Sequence, residues 1–272
     1  TGGYINAPVA LAAWLRRVPA AIYLPDIEPG MAIRWLSRFA RRVACTAAPS
    51  ARYFAAGKAV VTGYPVRPEI RNAAAVFKTD ALTAFELEPG DPTALVFGGS
   101  RGARSINRAL LAQLPSLLSE TRIIHISGTL DWPEVEAQAA TLPVDMRARY
   151  RPYAYLHERM GLAFRAADLV VARAGASMLG EAPAFGLPSV LVPYPHAWRY
   201  QKINADYLAG RGAAIRLDDH RLMDALAETI VGLLNEPRRL QQMSEAARQL
   251  DTPTAAARLA ELLTDLGRGK RR

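Results

Sequence analysis

A glycine-rich segment, Gly98-Gly99-Ser100-Arg101-Gly102, lies between a short apolar run and a long helical pattern. Glycines let the backbone approach an anion closely, and the free N–H groups of a helix's first turn bind phosphate with the help of the helix dipole. The segment is not a Walker loop, because no Gly-Lys-Ser/Thr follows, and it lacks the GxGxxG spacing of a dinucleotide fold. It predicts a phosphate-binding turn. The alternative is a glycine turn that serves only tight strand–helix packing.

A second segment of small residues, Ala174-Gly175-Ala176-Ser177, follows the apolar run at residues 169–172. Open α/β sheets bind ligands at the carboxyl ends of their strands, and Gly175 and Ala176 leave room there for a sugar or a phosphate. Glu181 falls about two turns into the following helix, where a carboxylate can accept hydrogen bonds from both hydroxyls of a ribose. Taken alone, the residues favour the other interpretation, a solvated helix glutamate.

A third segment, rich in proline and aromatic residues, spans residues 192–205. It delivers Gln201 and Asn204, which are three residues apart and therefore share a helix face. Their side-chain amides are donors suited to sugar hydroxyls. The alternative is ordinary loop packing by Tyr194 and Trp198.

The elements between these segments must position them, and short β-type runs alternate with helical patterns along the chain. Such alternation is typical of a parallel sheet with crossover helices. In the clearest helix, residues 103–118, one stripe is formed by Ile106, Leu110, Leu114 and Leu117. We predict strands at residues 20–24, 43–46, 59–62, 94–97, 123–127, 169–172, 189–192 and 213–217.

The pattern weakens at residues 65–92 into a polar stretch, which indicates a linker between domains. We predict a remnant of an N-terminal domain over residues 1–70, a linker over 71–92 and a C-terminal domain over 93–272, with the last helix packing back on the first domain. The first region holds too few strands for a doubly wound domain, and the sequence opens with Thr1-Gly2-Gly3 rather than Met. We therefore expect a truncated N-terminal domain.

The amino-acid composition excludes several classes of protein and indicates the kind of partner. The chain has 272 residues, a formal net charge of +9, one cysteine and a mean hydropathy of 0.00. These values exclude disorder, collagen and coiled coil, and no apolar run reaches the roughly 18 residues that a membrane-spanning helix needs. The lone Cys45 indicates a reducing compartment. The positive charge indicates an acidic partner: nucleic acid, a membrane surface or a phosphorylated ligand.

Part of this charge is concentrated in one segment, where Arg34, Arg38, Arg41 and Arg42 fall at helical spacing beside Trp35. We predict that these residues line one helix face that lies against anionic lipid. The alternative is a solvated face over a packed underside. Nucleic acid is the weaker candidate, because the arginines are not interleaved with an aromatic platform for base stacking.

The three segments occur together with two further motifs, GGY at residues 2–4 and TGYPVR at residues 62–67. In this order and spacing, GGSRGAR, RAGASMLGE and PYPHAWRYQKINA resemble the MurG family, over residues 2 to about 260. That family transfers N-acetylglucosamine from its UDP donor onto undecaprenyl-diphospho-muramoyl-pentapeptide. The resemblance implies a GT-B fold of two Rossmann-like α/β domains, here with a truncated N-terminal domain. The C-terminal domain would hold the donor and the N-terminal domain the lipid acceptor.

The resemblance also implies roles for individual residues. The acceptor-side residues are Gly2, Gly3 and Tyr4. The donor-side residues are Arg67, Gly99, Ser100, Arg101, Gly102, Leu156, Gly175, Ala176, Ser177, Glu181, Gln201 and Asn204. The glycine loop would take the diphosphate with Ala176 and Ser177 beside it, Glu181 the ribose, the backbone near Leu156 the uracil and Gln201 the sugar. Arg67 would lie near the cleft between domains, and Asn204 would support its helix.

The implied partners are UDP-N-acetylglucosamine, the undecaprenyl-linked acceptor and an anionic membrane at the cytoplasmic face of the bacterial plasma membrane. No cofactor is implied. His125, His157 and His196 lack the spacing of metal ligands. In such transferases helix dipoles and arginines replace a cation on the leaving UDP.

Departures from the family concern the acceptor side. The family's first glycine-rich loop, with its histidine, is absent from this sequence, Tyr23-Leu24-Pro25-Asp26 replaces its His-Glu-Gln-Asn, and Tyr200 replaces a glutamine. We select Asp26 as base or acceptor contact, and the alternative role is that of a turn-former. We expect the chain to bind donor and, without the missing segment, to transfer sugar poorly. Other interpretations are a GT-B transferase with another lipid acceptor, or a non-catalytic UDP-sugar-binding subunit that needs a partner chain.

Overall fold

The computed structural model describes residues 6–99, 102–196 and 199–268. The chain divides into two units. Unit 1 comprises the described residues up to Val66 together with those from Thr252 onward, and unit 2 is Arg67–Asp251. Within the described residues, no helix is both long enough and apolar enough to span a membrane.

Strands and helices alternate in both units. The strands are β1 (Ala21–Leu24), β2 (Arg42–Cys45), β3 (Ala59–Val61), β4 (Thr93–Phe97), β5 (Arg122–Ile126), β6 (Tyr150–Tyr153), β7 (Leu169–Arg173), β8 (Ser189–Val192) and β9 (Ala214–Arg216). The α-helices are α1 (Asn6–Leu15), α2 (Met31–Leu36), α3 (Pro68–Asn72), α4 (Lys78–Thr83), α5 (Arg104–Glu120), α6 (Trp132–Thr141), α7 (Val144–Arg149), α8 (Met160–Ala166), α9 (Glu181–Phe185), α10 (Tyr200–Ala209), α11 (Leu222–Leu234), α12 (Pro237–Leu250) and α13 (Ala255–Arg268). Short 3-10 helices cover Ala48–Tyr53, Ala73–Ala75, Ala176–Leu179 and Asp219–Arg221.

Unit 1 contains a parallel sheet in the order β1-β2-β3. Its core is small: Leu24, Val43 and Cys45 are fully buried. The last described segment, including α13, belongs to this unit, and at Gly63 an added Cβ would lie 2.6 Å from the Thr252 side chain. Glycine is therefore required where the end of the chain crosses this unit.

The predicted helix face of four arginines is wrong. Helix α2 ends at Leu36, where the Ser37 hydroxyl donates to the carbonyl of Arg34 at 2.8 Å. The N–H of Arg41 already donates to the Ala20 carbonyl, at 2.8 Å, and the next residue begins β2. The short path from α2 to the sheet leaves no room for two further turns, so Arg38 lies in a turn.

Unit 2 contains a parallel sheet in the order β6-β5-β4-β7-β8-β9. Strands β4 and β5 are buried along their whole length, as a sheet covered on both faces requires. Helices α5 and α11 pack together on one face, and Leu110, Leu114, Leu226 and Ile230 are fully buried. The chain leaves β4 toward β5 on one side, while β7 lies on the other. Such a switch point is where open α/β sheets bind ligands, outside the carboxyl ends of the strands.

The strands predicted from the sequence are present, with ends shifted by at most one residue, but β6 was not predicted. Its run of Tyr150, Arg151 and Pro152 is an edge strand that is buried only at its first residue. Proline is tolerated there because an edge strand leaves N–H groups unpaired. The pattern therefore lacks the continuous apolar run of the other strands.

The predicted linker over residues 71–92 is part of unit 2. Helix α3 ends at Asn72 inside this stretch and α4 lies within it, while Phe85 is fully buried and Leu82 and Leu87 nearly so. These apolar side chains are separated by prolines and charged residues, so the sequence shows no clear helical periodicity there. Unit 2 therefore begins at Arg67, not at residue 93.

Candidate active site

A cleft of about 900 Å³ opens at the carboxyl ends of the unit 2 strands. Its walls come from the loops that follow β4, β5, β7 and β8 and from the 3-10 helix after β9. The three segments singled out from the sequence therefore meet at one site.

The glycine loop after β4 combines tight packing with an open position. An added Cβ would lie 2.2 Å from the Ala103 nitrogen at Gly98, and 2.2 Å from the Ser127 carbonyl oxygen at Gly102. At Gly99, with φ +95°, an added Cβ would meet nothing within 4 Å. Gly98 and Gly102 thus allow the start of α5 to pack against the sheet, whereas Gly99 has open space beside it. Ser100 and Arg101 lie outside the described residues.

Glu181 is not a solvated helix glutamate. It is the first residue of α9, directly after a 3-10 helix, rather than two turns into a helix. Its carboxylate accepts a hydrogen bond from the Ser177 side chain and interacts with the charge of Arg67. Burial nevertheless raises the pKa of Glu181 above its ordinary value, since desolvation outweighs both partners. The structure therefore brings Arg67 close to Ser177 and Glu181, although Arg67 is far from both in sequence.

The two predicted amides have different surroundings. Gln201 lines the cleft, and its Oε1 accepts a hydrogen bond from the Tyr194 backbone N–H at 2.9 Å. Asn204 is 1% exposed, and its Nδ2 donates to the Ala174 carbonyl at 3.1 Å. Asn204 therefore supports the loop after β7, and Gln201 is the one of the two amides that lines the cleft.

The other predicted donor-side residues that the structure describes lie at different positions around the cleft and beyond it. Gly175 lines the cleft, with nothing within 4 Å of an added Cβ. Ala176 is half-buried at the start of the 3-10 helix. Leu156 follows β6 with a buried side chain, and the exposed ring of Tyr155 beside it contacts His157 edge-on, with 4.7 Å between centroids.

Sequence reasoning missed a cluster that fastens three cleft loops. Arg173, the last residue of β7, donates to the carboxylate of Asp219 and, at 2.6 Å, to the Ser105 hydroxyl, which itself donates to Asp219 at 2.7 Å. The guanidinium carbon of Arg173 also lies 5.2 Å from the centroid of the Tyr194 ring. An arginine ending a buried strand was a usable signal for Arg173. No local signal marked Asp219.

A second missed cluster runs from the cleft wall into the core. Asp131 accepts hydrogen bonds from Arg104 Nε at 2.9 Å and from Asn107 Nδ2 at 2.8 Å. Asn107 Nδ2 also donates to the Ser127 carbonyl at 2.8 Å, so its Oδ1 must accept from His125 Nε2, 3.0 Å away. His125 Nδ1 then accepts from the Tyr150 hydroxyl at 2.7 Å. Burial lowers the pKa of His125 to about 3, so the ring is neutral at pH 7.

The acceptor-side predictions fall in unit 1. Gly2, Gly3 and Tyr4 lie outside the described residues. Asp26 is half-buried in the bend that follows β1. Nearby, the fully buried Glu28 pairs with Arg34 at 2.7 Å, and the Arg34 guanidinium also lies over the Tyr53 ring. Arg34 therefore neutralises a buried carboxylate inside unit 1. In the part of the chain that the structure describes, no group of three or more His, Cys, Asp and Glu could hold a metal ion.

Comparison with known proteins agrees with this arrangement. The profile of the glycosyltransferase family 28 C-terminal domain matches residues 93–259. The chain is 43% identical, over 98% of its length and 68% of the relative's, to a UDP-N-acetylglucosamine–N-acetylmuramyl-(pentapeptide) pyrophosphoryl-undecaprenol N-acetylglucosamine transferase from Roseiflexus sp.. A transferase of the same name from Chlorobaculum parvum is 42% identical, over 96% of this chain and 70% of that protein.

Solved structures give the same picture. The crystal structure of MurG from Acinetobacter baumannii matches with a TM-score of 0.72 and 26% identity, over 97% of this chain and 72% of that one. A UDP-GlcNAc 2-epimerase from Neisseria meningitidis, bound to UDP-GlcNAc, matches with a TM-score of 0.69 at 12% identity, over 94% and 72% of the two chains. The second likeness shows the fold alone.

Proposed function

The chain belongs to the MurG family of glycosyltransferases, and we propose that it transfers N-acetylglucosamine from UDP-N-acetylglucosamine onto undecaprenyl-linked muramoyl-pentapeptide, the step from lipid I to lipid II in peptidoglycan synthesis. The observation that carries this function is the 43% identity, over 98% of the chain, to a curated transferase of that name. The cleft of unit 2 supports it, because the loops that carry the donor motifs meet there.

We propose the following donor site. The open turn at Gly99 and the N-terminal turn of α5 bind the diphosphate, since both offer backbone N–H groups and the positive end of a helix dipole. Ser177 and Ala176 lie beside the phosphates, and Glu181 accepts hydrogen bonds from the ribose hydroxyls. Gln201 reads the sugar from the wall of the cleft.

The reaction is an inverting displacement at the anomeric carbon. A base removes the proton of the muramoyl hydroxyl, the oxygen forms a bond to the anomeric carbon, and the bond from that carbon to the UDP phosphate oxygen breaks. A positioned base contributes about 10² to 10⁴ in rate. Asp26 is the carboxylate that we propose for this role. The leaving UDP is stabilised by the α5 N-terminus and by Arg67, and no metal is required.

The test measures transfer of labelled N-acetylglucosamine to a lipid-linked muramoyl acceptor, together with calorimetric binding of UDP and ADP. We expect transfer when the upstream segment of the family is supplied, and UDP should bind more tightly than ADP because the proposed site recognises uracil. Binding of UDP without transfer, even when the upstream family segment is supplied, would identify a UDP-sugar-binding subunit instead. Equal affinity for UDP and ADP would contradict the donor assignment.

We also propose that unit 1 contacts the cytoplasmic face of an anionic bacterial membrane. Trp14 and Trp35 both pack edge-on against Phe39 and are 54% and 42% exposed. Leu15, which follows Trp14 in the sequence, is 66% exposed. Arg17, Arg38 and Arg41 line one surface pocket with Trp14 and Phe39. These three arginines are exposed, as are Arg16 and Arg42 next to them in sequence. Aromatic side chains beside basic ones are the composition of an interfacial contact.

Vesicle sedimentation tests this contact. Replacing Arg38, Arg41 and Arg42 with glutamine should reduce sedimentation with anionic vesicles, and added salt should act in the same direction. The control replaces Arg108, Arg238 and Arg239, which are exposed in unit 2, and changes the net charge equally. Equal loss in both variants would mean that net charge, not this surface, attracts the membrane.

A further inference from the structure

An ion pair in the cleft wall faces the proposed diphosphate site. Arg104 is the first residue of α5, and its Nε donates to the Asp131 carboxylate at 2.9 Å. The Arg104 side chain is 63% exposed, whereas that of Asp131 is 6% exposed. Both residues line the same cleft as Gly99 and Gly102. A nearly buried carboxylate therefore lies where a phosphorylated ligand would also carry negative charge.

The groups behind Asp131 do not neutralise it. Its second oxygen is bound by the amide of Asn107, which is neutral. Asn107 leads to His125, which stays neutral because burial lowers its pKa to about 3, and His125 leads to the hydroxyl of Tyr150. Among the described residues of this hydrogen-bond network, Arg104 is therefore the only cation.

The net charge of the Arg104–Asp131 pair affects ligand binding, because a negative charge there would repel a phosphorylated ligand. Interactions between charges are several times stronger in a partly desolvated cleft than in water. An uncompensated Asp131 would oppose a diphosphate at the start of α5 and would weaken the contribution of the helix dipole there. With Arg104 in place, the wall presents a neutral pair instead.

We propose that Arg104 is a positioning residue of the donor site, which acts by neutralising Asp131 and so makes the cleft wall compatible with a nucleoside diphosphate. This rests on the proposed function, which places the diphosphate at the glycine loop. Asp131 in turn fixes the orientation of Arg104, while Asn107 fixes that of Asp131. A direct contact between Arg104 and phosphate is the competing role, since within the described residues its two Nη atoms make no hydrogen bond.

A double-mutant cycle separates the two roles, with calorimetric binding of UDP and of uridine as the readout. If Arg104 shields Asp131, Arg104→Ala should weaken UDP binding by about tenfold or more and leave uridine within about twofold. Adding Asp131→Asn to that variant should return UDP affinity to within about threefold of the unmodified chain. Arg108→Ala, which removes an exposed arginine one turn further along α5, should leave UDP binding within about twofold.

Each result decides the question. A double variant that binds UDP as weakly as Arg104→Ala would overturn the shielding role and assign Arg104 to direct phosphate contact. An Arg104→Ala variant with unchanged UDP affinity would remove the pair from donor binding altogether. An unmodified chain that binds no UDP would instead contradict the proposed function and this inference together. Thermal unfolding confirms that each variant is folded, and Asp131→Ala replaces Asp131→Asn if the new amide disturbs Asn107.

Discussion

Glu181 shows how a single side chain is prepared for a ligand. A carboxylate at the start of α9 lies near positive backbone dipoles, accepts from Ser177 and interacts with the charge of Arg67, yet its pKa remains above the ordinary value because water reaches it poorly. Its remaining acceptor capacity is therefore poorly hydrated before a ligand arrives. In the proposed donor site, ribose hydroxyls that donate to Glu181 would replace little water.

We predict that Glu181→Ala weakens UDP binding by about 1–3 kcal/mol, because charge-assisted hydrogen bonds are lost. The melting temperature should change little, since removing a desolvated acid also removes its desolvation cost. Calorimetry and thermal unfolding measure the two effects. Glu134→Ala, which removes an exposed glutamate from the first turn of α6, serves as the control. A large loss of stability with intact binding would make Glu181 structural.

At the scale of elements, the loops after β4, β7 and β8 are held by backbone geometry and by side chains from other loops. Gly98 and Gly102 allow α5 to start against the sheet, and Arg173 joins these loops to Asp219. The glycine loop thus depends on two kinds of constraint, one steric and one electrostatic. The steric one can be tested within the loop itself.

We predict that Gly102→Ala destabilises the chain far more than Gly99→Ala. Both glycines have positive φ, which costs an alanine about 1–2 kcal/mol. Only at Gly102 would the new Cβ also lie 2.2 Å from a backbone oxygen, that of Ser127. We expect a loss of about 3 kcal/mol or more for Gly102→Ala and about 1 kcal/mol for Gly99→Ala by urea unfolding. Equal losses would show that the loop is free to shift.

The buried His125, which is hydrogen-bonded to Asn107 behind Asp131, predicts a pH dependence of stability. Because burial lowers the folded-state pKa of His125 to about 3, the unfolded chain takes up the proton first as pH falls. His125 then adds no pH dependence above about pH 6.5, and stability is lost as pH falls from there toward 3. The loss between pH 6.5 and 5 is about 2 kcal/mol.

Comparing denaturation curves of the unmodified chain and His125→Gln isolates this effect. The glutamine variant is less stable at pH 7, but its stability should fall less between pH 6.5 and 5. His157→Gln, at an exposed position, should keep the slope of the unmodified chain. Parallel pH dependence in all three proteins would contradict a neutral buried His125.

At the scale of the whole molecule, the chain passes from unit 1 to unit 2 after Val66 and returns after Asp251. Within unit 2, Arg71 binds the Asp251 carboxylate through two hydrogen bonds, of 3.0 and 2.8 Å. The start and the end of this unit are thus joined to each other. Together with its own core, this makes unit 2 a candidate for independent folding.

We predict that residues 67–251, expressed alone, fold cooperatively and bind UDP within about threefold of the full chain, since the cleft and Glu181 lie in this unit. Calorimetry and thermal unfolding measure both properties. In this fragment Arg71→Ala should lower stability, because Asp251 loses its partner. A fragment that folds but fails to bind UDP, while the full chain binds it, would show that unit 1 contributes to the donor site.

The sequence alone is enough to predict the parallel α/β architecture, the strands with continuous apolar runs, the three loops at their carboxyl ends and the family. These features depend on local order: buried strands need unbroken apolar runs, and close-packed turns need glycines. The positions of β4, β7 and β8 were predictable for this reason. So was the meeting of their loops, because the carboxyl ends of parallel strands share one edge.

The surroundings of each polar group, in contrast, are known only from the three-dimensional fold. Glu181 is half-buried rather than solvated, Asn204 supports a loop, and Arg34 pairs with the buried carboxylate of Glu28. Likewise, the surroundings of Asp131 and His125 are formed by residues from other elements. Desolvation and ion pairing depend on distances between residues far apart in the sequence, and no local pattern encodes those distances.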